Sequence, residues 1–253
     1  RAMKLYHITH NNASAVAIKD IPVVDYTELY NDLKERMTDG RYHVAHYFAT
    51  EHEMGLKFYL IILDDESGEV LITSFVPDYY TRGLASLTAL HTQFHPFERE
   101  MYELYGVPFN NHPWLKPLRF SHDRRNREST MDSYPFYEME GDELHEVNVG
   151  PIHAGIIEPG AFRFICNGEQ VLHLEIALGY QHRGVESEMT RDDNKLRQTL
   201  IAESIAGDTA VGHATAYAEL VEKLGVERID EELKLERVVA IELERIAMHI
   251  ADT

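Results

Sequence analysis

The sequence predicts an α+β fold in three parts: an N-terminal α/β module with a mixed sheet and helices over 3–118, an extended linker over 119–147, and a β-hairpin followed by helices over 148–253. In the first part, helix caps and short apolar runs alternate with turn residues. The linker is rich in prolines and aromatics and has little periodicity. In the third part, an Asn-Gly turn precedes long amphipathic patterns of helical period.

The N-terminal module begins with a helix and continues with strands. Asp25 is expected to cap a helix over 26–37, whose apolar residues share one face. Three strands are predicted to follow, over 42–50, 56–63 and 70–75. The continuous apolar run 59–63 is typical of a central strand with both faces covered. A further helix over 84–94 is expected to be broken at Pro96.

The linker carries opposite charges at its two ends. Its basic patch consists of Arg119, Arg124, Arg125 and Arg127, and its acidic patch of Asp142, Glu143 and Glu146. The aromatic stretch 134–137 lies between them and predicts an extended chain anchored by aromatic side chains. Beyond the linker, strands over 161–166 and 170–176 are predicted to flank Asn167-Gly168, a favoured hairpin turn.

Two helices are predicted near the end of the chain. Asp208 is expected to cap the first, which runs to Leu224, and Asp230 the second. An apolar stripe along the second helix predicts contact with a partner surface: Val239, Leu243, Ile246 and Ile250. Because the pattern is still in phase at Thr253, we expect this chain to be part of a longer protein.

Composition limits the classes of partner and cofactor. The formal charge is −19, which disfavours nucleic acid and anionic membrane surfaces as direct partners. No apolar run approaches the ~20 residues of a membrane span, so no direct membrane insertion is expected. The one cysteine, Cys166, excludes an internal disulfide and a multi-cysteine cluster. Histidine spacing predicts no zinc site, and we expect no cofactor bound by this chain alone.

A charged motif follows Pro96. Residues 95–109 read His-Pro-Phe-Glu-Arg-Glu-Met-Tyr-Glu-Leu-Tyr-Gly-Val-Pro-Phe, and residues 111–115 read Asn-His-Pro-Trp-Leu. This run resembles the signature of the C subunit of respiratory complex I, a docking module without a redox centre. Glu98, Glu100 and Glu103 flank Arg99 on one helical turn, which predicts a local surface charge network rather than an acid–base pair.

The stretch 149–186 carries a second resemblance. It begins Val-Gly-Pro-Ile-His-Ala-Gly-Ile-Ile-Glu-Pro-Gly and later reads Leu-Gly-Tyr-Gln-His-Arg-Gly-Val-Glu at 178–186. It resembles the N-terminus of the large subunit of NiFe hydrogenases of the energy-converting, formate hydrogenlyase type, and the related D subunit of complex I, which holds the quinone site. The resemblance implies a fused subunit peripheral on the cytoplasmic, inner face of the cell membrane. Its implied partners are an iron–sulfur small subunit and the membrane-arm subunits.

The residues expected to hold the metal of such a hydrogenase are missing. The family motif Ile-Cys-Gly-x-Cys-x-x-x-His-x-Thr-Ala-Tyr aligns without a gap to residues 205–217, in which Ala206 and Thr209 replace the two cysteines. An alanine has no ligand atom, and a hydroxyl is a poor ligand for a soft, low-valent metal. We therefore predict no metal ligand in this segment, and a residual polar pocket with Asp208, Thr209 and His213 in its lining.

The quinone function of complex I is less favoured. In that family a tyrosine that holds the quinone stands where Gly207 stands here, whereas His153 matches the Gly-Pro-x-His pattern. The resemblance gives Glu158 the position of a proton relay facing the pocket, with His153 as a second pocket residue. A carboxylate near a buried cavity can pass protons. The alternative is that Glu158 only accepts hydrogen bonds from backbone amides at a loop corner.

Two functions follow from this interpretation. The first is an oxidoreductase subunit of the NADH–quinone oxidoreductase and hydrogenase superfamily with an altered active site, inactive as an isolated fragment. The second is a scaffold that couples an iron–sulfur subunit to a proton-pumping membrane arm without redox chemistry of its own. Arg183 is interpreted as structural, pairing with Glu186 or with acids of the linker.

Overall fold

The computed structural model describes residues 5–9, 14–53, 55–78, 82–119, 134–152, 158–191, 193–225 and 228–251. They belong to two compact units. The first consists mainly of Val16–Gln181, and the second mainly of His182–Thr253. Helices and sheets are both present, as the predicted α+β class requires. The predicted domain boundaries within the first unit stay a prediction.

The first unit is built on a four-stranded sheet and helix α1 (Tyr26–Arg36). Its strands are β1 (His7–Thr9), β2 (Tyr42–His52), β3 (Gly55–Asp64) and β4 (Glu69–Phe75), in the order β1-β4-β3-β2. The three pairings between these strands are antiparallel. Hairpin turns join β2 to β3 and β3 to β4, β1 pairs with β4 at long range, and a single parallel bridge joins Val23 to Ser74 of β4. Asp25 caps α1 as predicted, accepting hydrogen bonds from the amides of Thr27 and Glu28.

The core of this unit lies between α1 and the sheet. Leu29 and Leu33 of α1 and alternate residues of β3, including Phe58 and Leu60, are fully buried. The other face of β3 is only half-buried, so the apolar run 59–63 marks a central strand that is fully covered on one face alone. Each such buried side chain contributes about 1.5–3 kcal/mol to stability.

The predicted helix over 84–94 is wrong. Leu84–Ala85 instead forms β5, which pairs in parallel with β6 (Phe109–Asn110). A helix does form over His95–Tyr105, which we number α2, and Pro96 lies in its first turn. A proline is tolerated there because the first helical amides have no partner within the helix. Pro96 therefore begins a helix, whereas the sequence pattern had predicted that it ends one.

A three-stranded antiparallel sheet completes the first unit. It contains β7 (Leu144–Val149), β8 (Ala161–Asn167) and β9 (Gln170–Ala177), in that order. The hairpin at Asn167-Gly168 is confirmed. Residues 144–147, which fall within the predicted linker, pair with β8. Its basic residues Arg124, Arg125 and Arg127 lie outside the described residues.

The two faces of this sheet differ in chemistry. The face that contacts the N-terminal module carries Glu146, Arg163 and Glu175. The opposite face is apolar, with the exposed side chains Val147, Val149, Leu174 and Ile176. Glu175 on this face contacts Lys116 of the N-terminal module, whereas Glu146 on the same face remains exposed.

The second unit is helical, with α3 (Val185–Met189), α4 (Lys195–Glu203), α5 (Ala210–Gly225) and α6 (Glu231–Ala251). Asp230 accepts a hydrogen bond from the amide of Glu232, as predicted for the cap of α6. Arg237 of α6 forms a two-point ion pair with Glu222 of α5. The predicted stripe on α6 is exposed along its length. None of the helices in the described residues is long and apolar enough to cross a bilayer.

Candidate functional site

The charged motif of α2 points inward. Glu98 is completely buried, and Arg99 and Glu103 are each 5% exposed. The predicted surface network is therefore wrong for these three residues. The cause is that loops distant in the chain supply hydrogen-bonding partners, which local sequence spacing does not reveal.

Glu98 joins α2 to the loop after β5. Its carboxylate accepts hydrogen bonds from the hydroxyls of Ser86 (2.6 Å) and Thr88 (2.6 Å) and from the amides of Leu87 (2.7 Å) and Thr88 (3.2 Å). Burial raises the pKa of Glu98, and these donors oppose the rise. Four donors from three consecutive residues make this carboxylate an anchor for the loop.

His112 lies beside the same carboxylate. Its Nδ1 accepts a hydrogen bond from the amide of Trp114 at 2.9 Å, so the neutral ring carries its proton on Nε2. Nε2 lies 3.7 Å from Oε2 of Glu98, and the His112 side chain is 1% exposed. Burial, together with the positive charges of Arg99 and His95, lowers the pKa of His112 to about 4. His112 is therefore neutral in the folded protein at neutral pH.

Replacing His112 with asparagine is expected to reduce the loss of stability in acid. As pH falls from about 6.5 towards about 4, the unfolded chain binds a proton that the folded His112 does not. Between about pH 7 and about pH 4.5, this protonation of the unfolded chain lowers the free energy of unfolding of the wild type by about 2–3 kcal/mol. Asparagine keeps an acceptor for the Trp114 amide without titrating. Urea unfolding at both pH values, followed by the fluorescence of Trp114, measures the difference.

The urea unfolding of His112→Asn requires a control variant. Glu98 is present in both proteins, so the difference between them reports His112 together with its coupling to Glu98. The exposed His145 provides a matched control, His145→Asn. Equal pH dependence in the wild type and His112→Asn would contradict the assignment of the acid sensitivity to His112.

The rest of the α2 motif fixes the chain where it leaves the module. Arg99 donates to the carbonyls of Lys116 and Pro117, both at 2.9 Å, and lies over the ring of Trp114. Glu103 accepts from the amides of Leu118 and Arg119, both at 2.8 Å. These contacts order an irregular segment that belongs to neither a helix nor a strand. The motif therefore holds the segment that leads towards β7–β9.

Glu175 of β9 joins the charged face of the second sheet to the N-terminal module. It accepts hydrogen bonds from Lys116, from Arg163 (3.0 Å) and from the amide of Tyr137 (3.1 Å). Arg163 also pairs with Glu146 and donates to the carbonyl of Tyr137 at 2.7 Å. Burial favours a raised pKa for Glu175, but these donors lower it overall. The ionised carboxylate thus connects three separate segments.

The segment 205–217, for which the sequence predicts the loss of metal ligands, lies in the second unit and spans the loop after α4 and the first half of α5. Gly207–Thr209 forms a single 3₁₀ turn, and Asp208 lies within it. The prediction that Asp208 caps α5 is wrong, because α5 begins two residues later, at Ala210. Thr209 and His213 are brought together: the threonine hydroxyl and the ring Nδ1 are 2.9 Å apart. Asp208 and Thr209 are exposed and His213 is half-buried.

The donor set of this turn does not fit a nickel–iron centre. Ala206 has no ligand atom, and the Thr209 hydroxyl is engaged with His213. The one cysteine of the chain, Cys166, is buried in β8 of the first unit. A soft, low-valent metal requires thiolates, and the side chains of this turn supply none.

Arg183 does not have the partner predicted for it. Its guanidinium donates to the backbone carbonyls of Ser204 and Ile205. The predicted pairing with Glu186 is therefore wrong. The carbonyls that end a helix are unsatisfied and carry negative partial charge, so they compete well for a nearby guanidinium.

Of the two predicted pocket residues Glu158 and His153, the described part of the chain includes only Glu158. Glu158 lies in the first unit and is exposed, whereas His153 lies outside the described residues. Asp208, Thr209 and His213 belong to the second unit. The pocket that these residues were predicted to share stays a prediction, as does the proton-relay role of Glu158.

Comparison with known proteins identifies the family. A family model described as "Respiratory-chain NADH dehydrogenase, 30 Kd subunit" matches residues 5–135, more than half of the chain. The chain belongs to this family. The match covers the four-stranded sheet, α1 and the buried motif of α2, and it confirms the resemblance of that motif to a subunit of complex I.

Three relatives extend the similarity beyond the 30 Kd region. The chain is 27% identical over 223 residues to hydrogenase-4 component G of Escherichia coli, covering 85% of this chain and 40% of that protein. It is 27% identical over 234 residues to formate hydrogenlyase subunit 5 of Escherichia coli, covering 85% and 39%. It is 26% identical over 228 residues to the C/D subunit of NADH-quinone oxidoreductase of Proteus mirabilis, covering 76% and 37%. The chain thus spans about two fifths of these relatives.

Sequence reasoning missed several residues that organise the structure. The sequence pattern indicates Glu98 only as a surface charge and indicates no role for Lys116, His112 or Glu175. A buried role for Glu98 had one local signal, namely that it lies on the same turn as the apolar residue Met101. No local pattern indicated Glu175, because its partners lie 12–59 residues away.

Proposed function

We propose that this chain is a subunit of a membrane-associated, energy-converting oxidoreductase complex. In this proposal its 30 Kd region is a docking module, and its segment 205–217 supplies no nickel–iron ligand. The family match and the names of the three relatives support membership of such a complex. The observation that carries the loss of metal ligation is the side-chain chemistry of Ala206 and Thr209, neither of which offers a thiolate.

The docking role rests on how the 30 Kd region uses its charged residues. The side chains of Glu98, Arg99 and Glu103 are buried and form hydrogen bonds with backbone groups and hydroxyls of the same unit. Buried groups paired in this way stabilise a fixed shape, which favours a docking role over acid–base chemistry. The proposed partners are an iron–sulfur small subunit and membrane-arm subunits, with the complex peripheral on the cytoplasmic face of the membrane.

Elemental analysis of the complex tests both halves of the proposal. The full-length protein carries an affinity tag, and the complex is purified from detergent-solubilised membranes. Iron, acid-labile sulfide and nickel are then measured per copy of the tagged protein. We expect iron and sulfide from partner subunits, together with nickel well below stoichiometric amounts.

The two halves fail in different ways. Stoichiometric nickel would contradict the loss of metal ligation while leaving membership of the complex intact. A tagged protein that purifies without iron and sulfide, or without association with membranes, would contradict membership whatever its nickel content.

A further inference from the structure

The turn that replaces the metal motif is held at its beginning by a cation. Arg183 precedes α3, and its guanidinium donates to the carbonyl oxygens of Ser204 and Ile205, the latter at 3.3 Å. These carbonyls directly follow α4 and directly precede Ala206. Cations stabilise the C-terminal end of a helix because its carbonyls carry negative partial charge. Arg183 therefore fixes the backbone immediately before the turn.

The same turn is held at its end by an anion. Glu244 of α6 accepts hydrogen bonds from two amides in the first turn of α5, with Oε1 at 2.6 Å from the nitrogen of Val211 and Oε2 at 3.0 Å from that of Gly212. These amides have no acceptor within the helix. The carboxylate thus does what the side chain of an N-cap residue does in other helices. It reaches this position from an element 32–33 residues away.

We propose that Arg183 and Glu244 are positioning residues that hold the Ala206–Thr209 turn in one conformation by charge–backbone contacts instead of metal–thiolate bonds. The turn needs such support because Gly207 lacks a side chain and Asp208 and Thr209 are exposed. Within the second unit, the position of the turn is therefore set jointly by the segment after His182 and by α6. This geometry does not depend on whether the proposed complex forms.

Hydrogen–deuterium exchange of the full 253-residue chain tests the proposal. Glu244→Ala is expected to accelerate exchange of the amides in 206–213 by on the order of tenfold, the factor that corresponds to one lost hydrogen bond of about 1.4 kcal/mol. Glu244→Gln keeps one acceptor oxygen for two amides, so an intermediate acceleration is expected. Arg183→Ala is expected to accelerate exchange of the same segment, with partial rescue in Arg183→Lys.

Two matched controls remove the same types of charge elsewhere in the second unit. Glu242→Ala removes a carboxylate of α6 that pairs with Arg245 on the same helix, and Arg191→Ala removes an exposed arginine that pairs with Glu188. Both are expected to leave exchange of 206–213 unchanged. Wild-type exchange in Glu244→Ala would overturn the proposal. An equal rise across α4, α5 and α6 in both Glu244→Ala and the less disruptive Glu244→Gln would also overturn it, because it would assign Glu244 to general packing.

Discussion

Replacing Glu98 with alanine is expected to lower the free energy of unfolding of the first unit by about 4 kcal/mol. The substitution leaves the hydroxyls of Ser86 and Thr88 and the amide of Leu87 without their acceptor in a region from which water is excluded. Each unsatisfied buried donor costs about 1–3 kcal/mol. In the wild type, removing the Glu98 carboxylate from water costs free energy, which offsets part of the stabilisation by its hydrogen bonds. The substitution therefore costs less than the sum of the penalties for the separate unsatisfied donors.

Trp114 provides the measurement for Glu98. It is the one tryptophan of the chain and lies in the first unit, so its fluorescence during urea unfolding reports on that unit. Glu100→Ala is the matched control, because Glu100 lies on the same helix and forms a partly exposed ion pair with Arg119. A loss of about 0–1 kcal/mol is expected for that control. If the two variants were destabilised equally, the anchoring role of Glu98 would have to be abandoned.

Replacing Glu175 with alanine is expected to cost about 3 kcal/mol and to loosen β7–β9 from the rest of the first unit. The carboxylate is 5% exposed and accepts from Lys116, Arg163 and the amide of Tyr137. Its removal leaves the ammonium of Lys116 largely buried without the carboxylate that now faces it. Arg163 is less affected, because Glu146 remains as its partner.

Two readouts separate this effect from a general loss of stability. Urea unfolding followed by Trp114 gives the free energy, and hydrogen exchange in β8 and β9 shows whether the sheet opens first. Glu169→Ala, at the exposed hairpin turn, is the control and is expected to change stability by less than about 0.5 kcal/mol.

The stabilisation by Glu175 also depends on pH, because folding lowers the pKa of this carboxyl. Its contribution to the free energy of unfolding is complete above the pKa of the unfolded chain and is lost as the pH falls through the lower pKa of the folded protein. A Glu175→Ala protein as stable as the control would refute the interpretation.

The contrast between Asp25 and Asp208 shows where sequence reasoning holds. Both were predicted as helix caps from the same local pattern. Asp25 is one, because its oxygen reaches amides two and three residues ahead. At α5 the corresponding position is taken by Glu244, from a helix more than thirty residues away. A local rule holds only where no distant group offers a better contact.

The sequence by itself determined the family, the α+β class and the absence of thiolates at positions 206 and 209, because motif spacing, periodicity and residue type are local properties. Only the tertiary structure decided that Glu98 and Glu103 turn inward, that Pro96 begins a helix, and that Arg183 contacts backbone carbonyls. The physical reason is that a charged side chain is buried only where distant segments supply enough donors or acceptors to replace water. The partners of Glu98 come from residues 86–88, those of Glu175 from 116, 137 and 163, and no spacing along the chain encodes them.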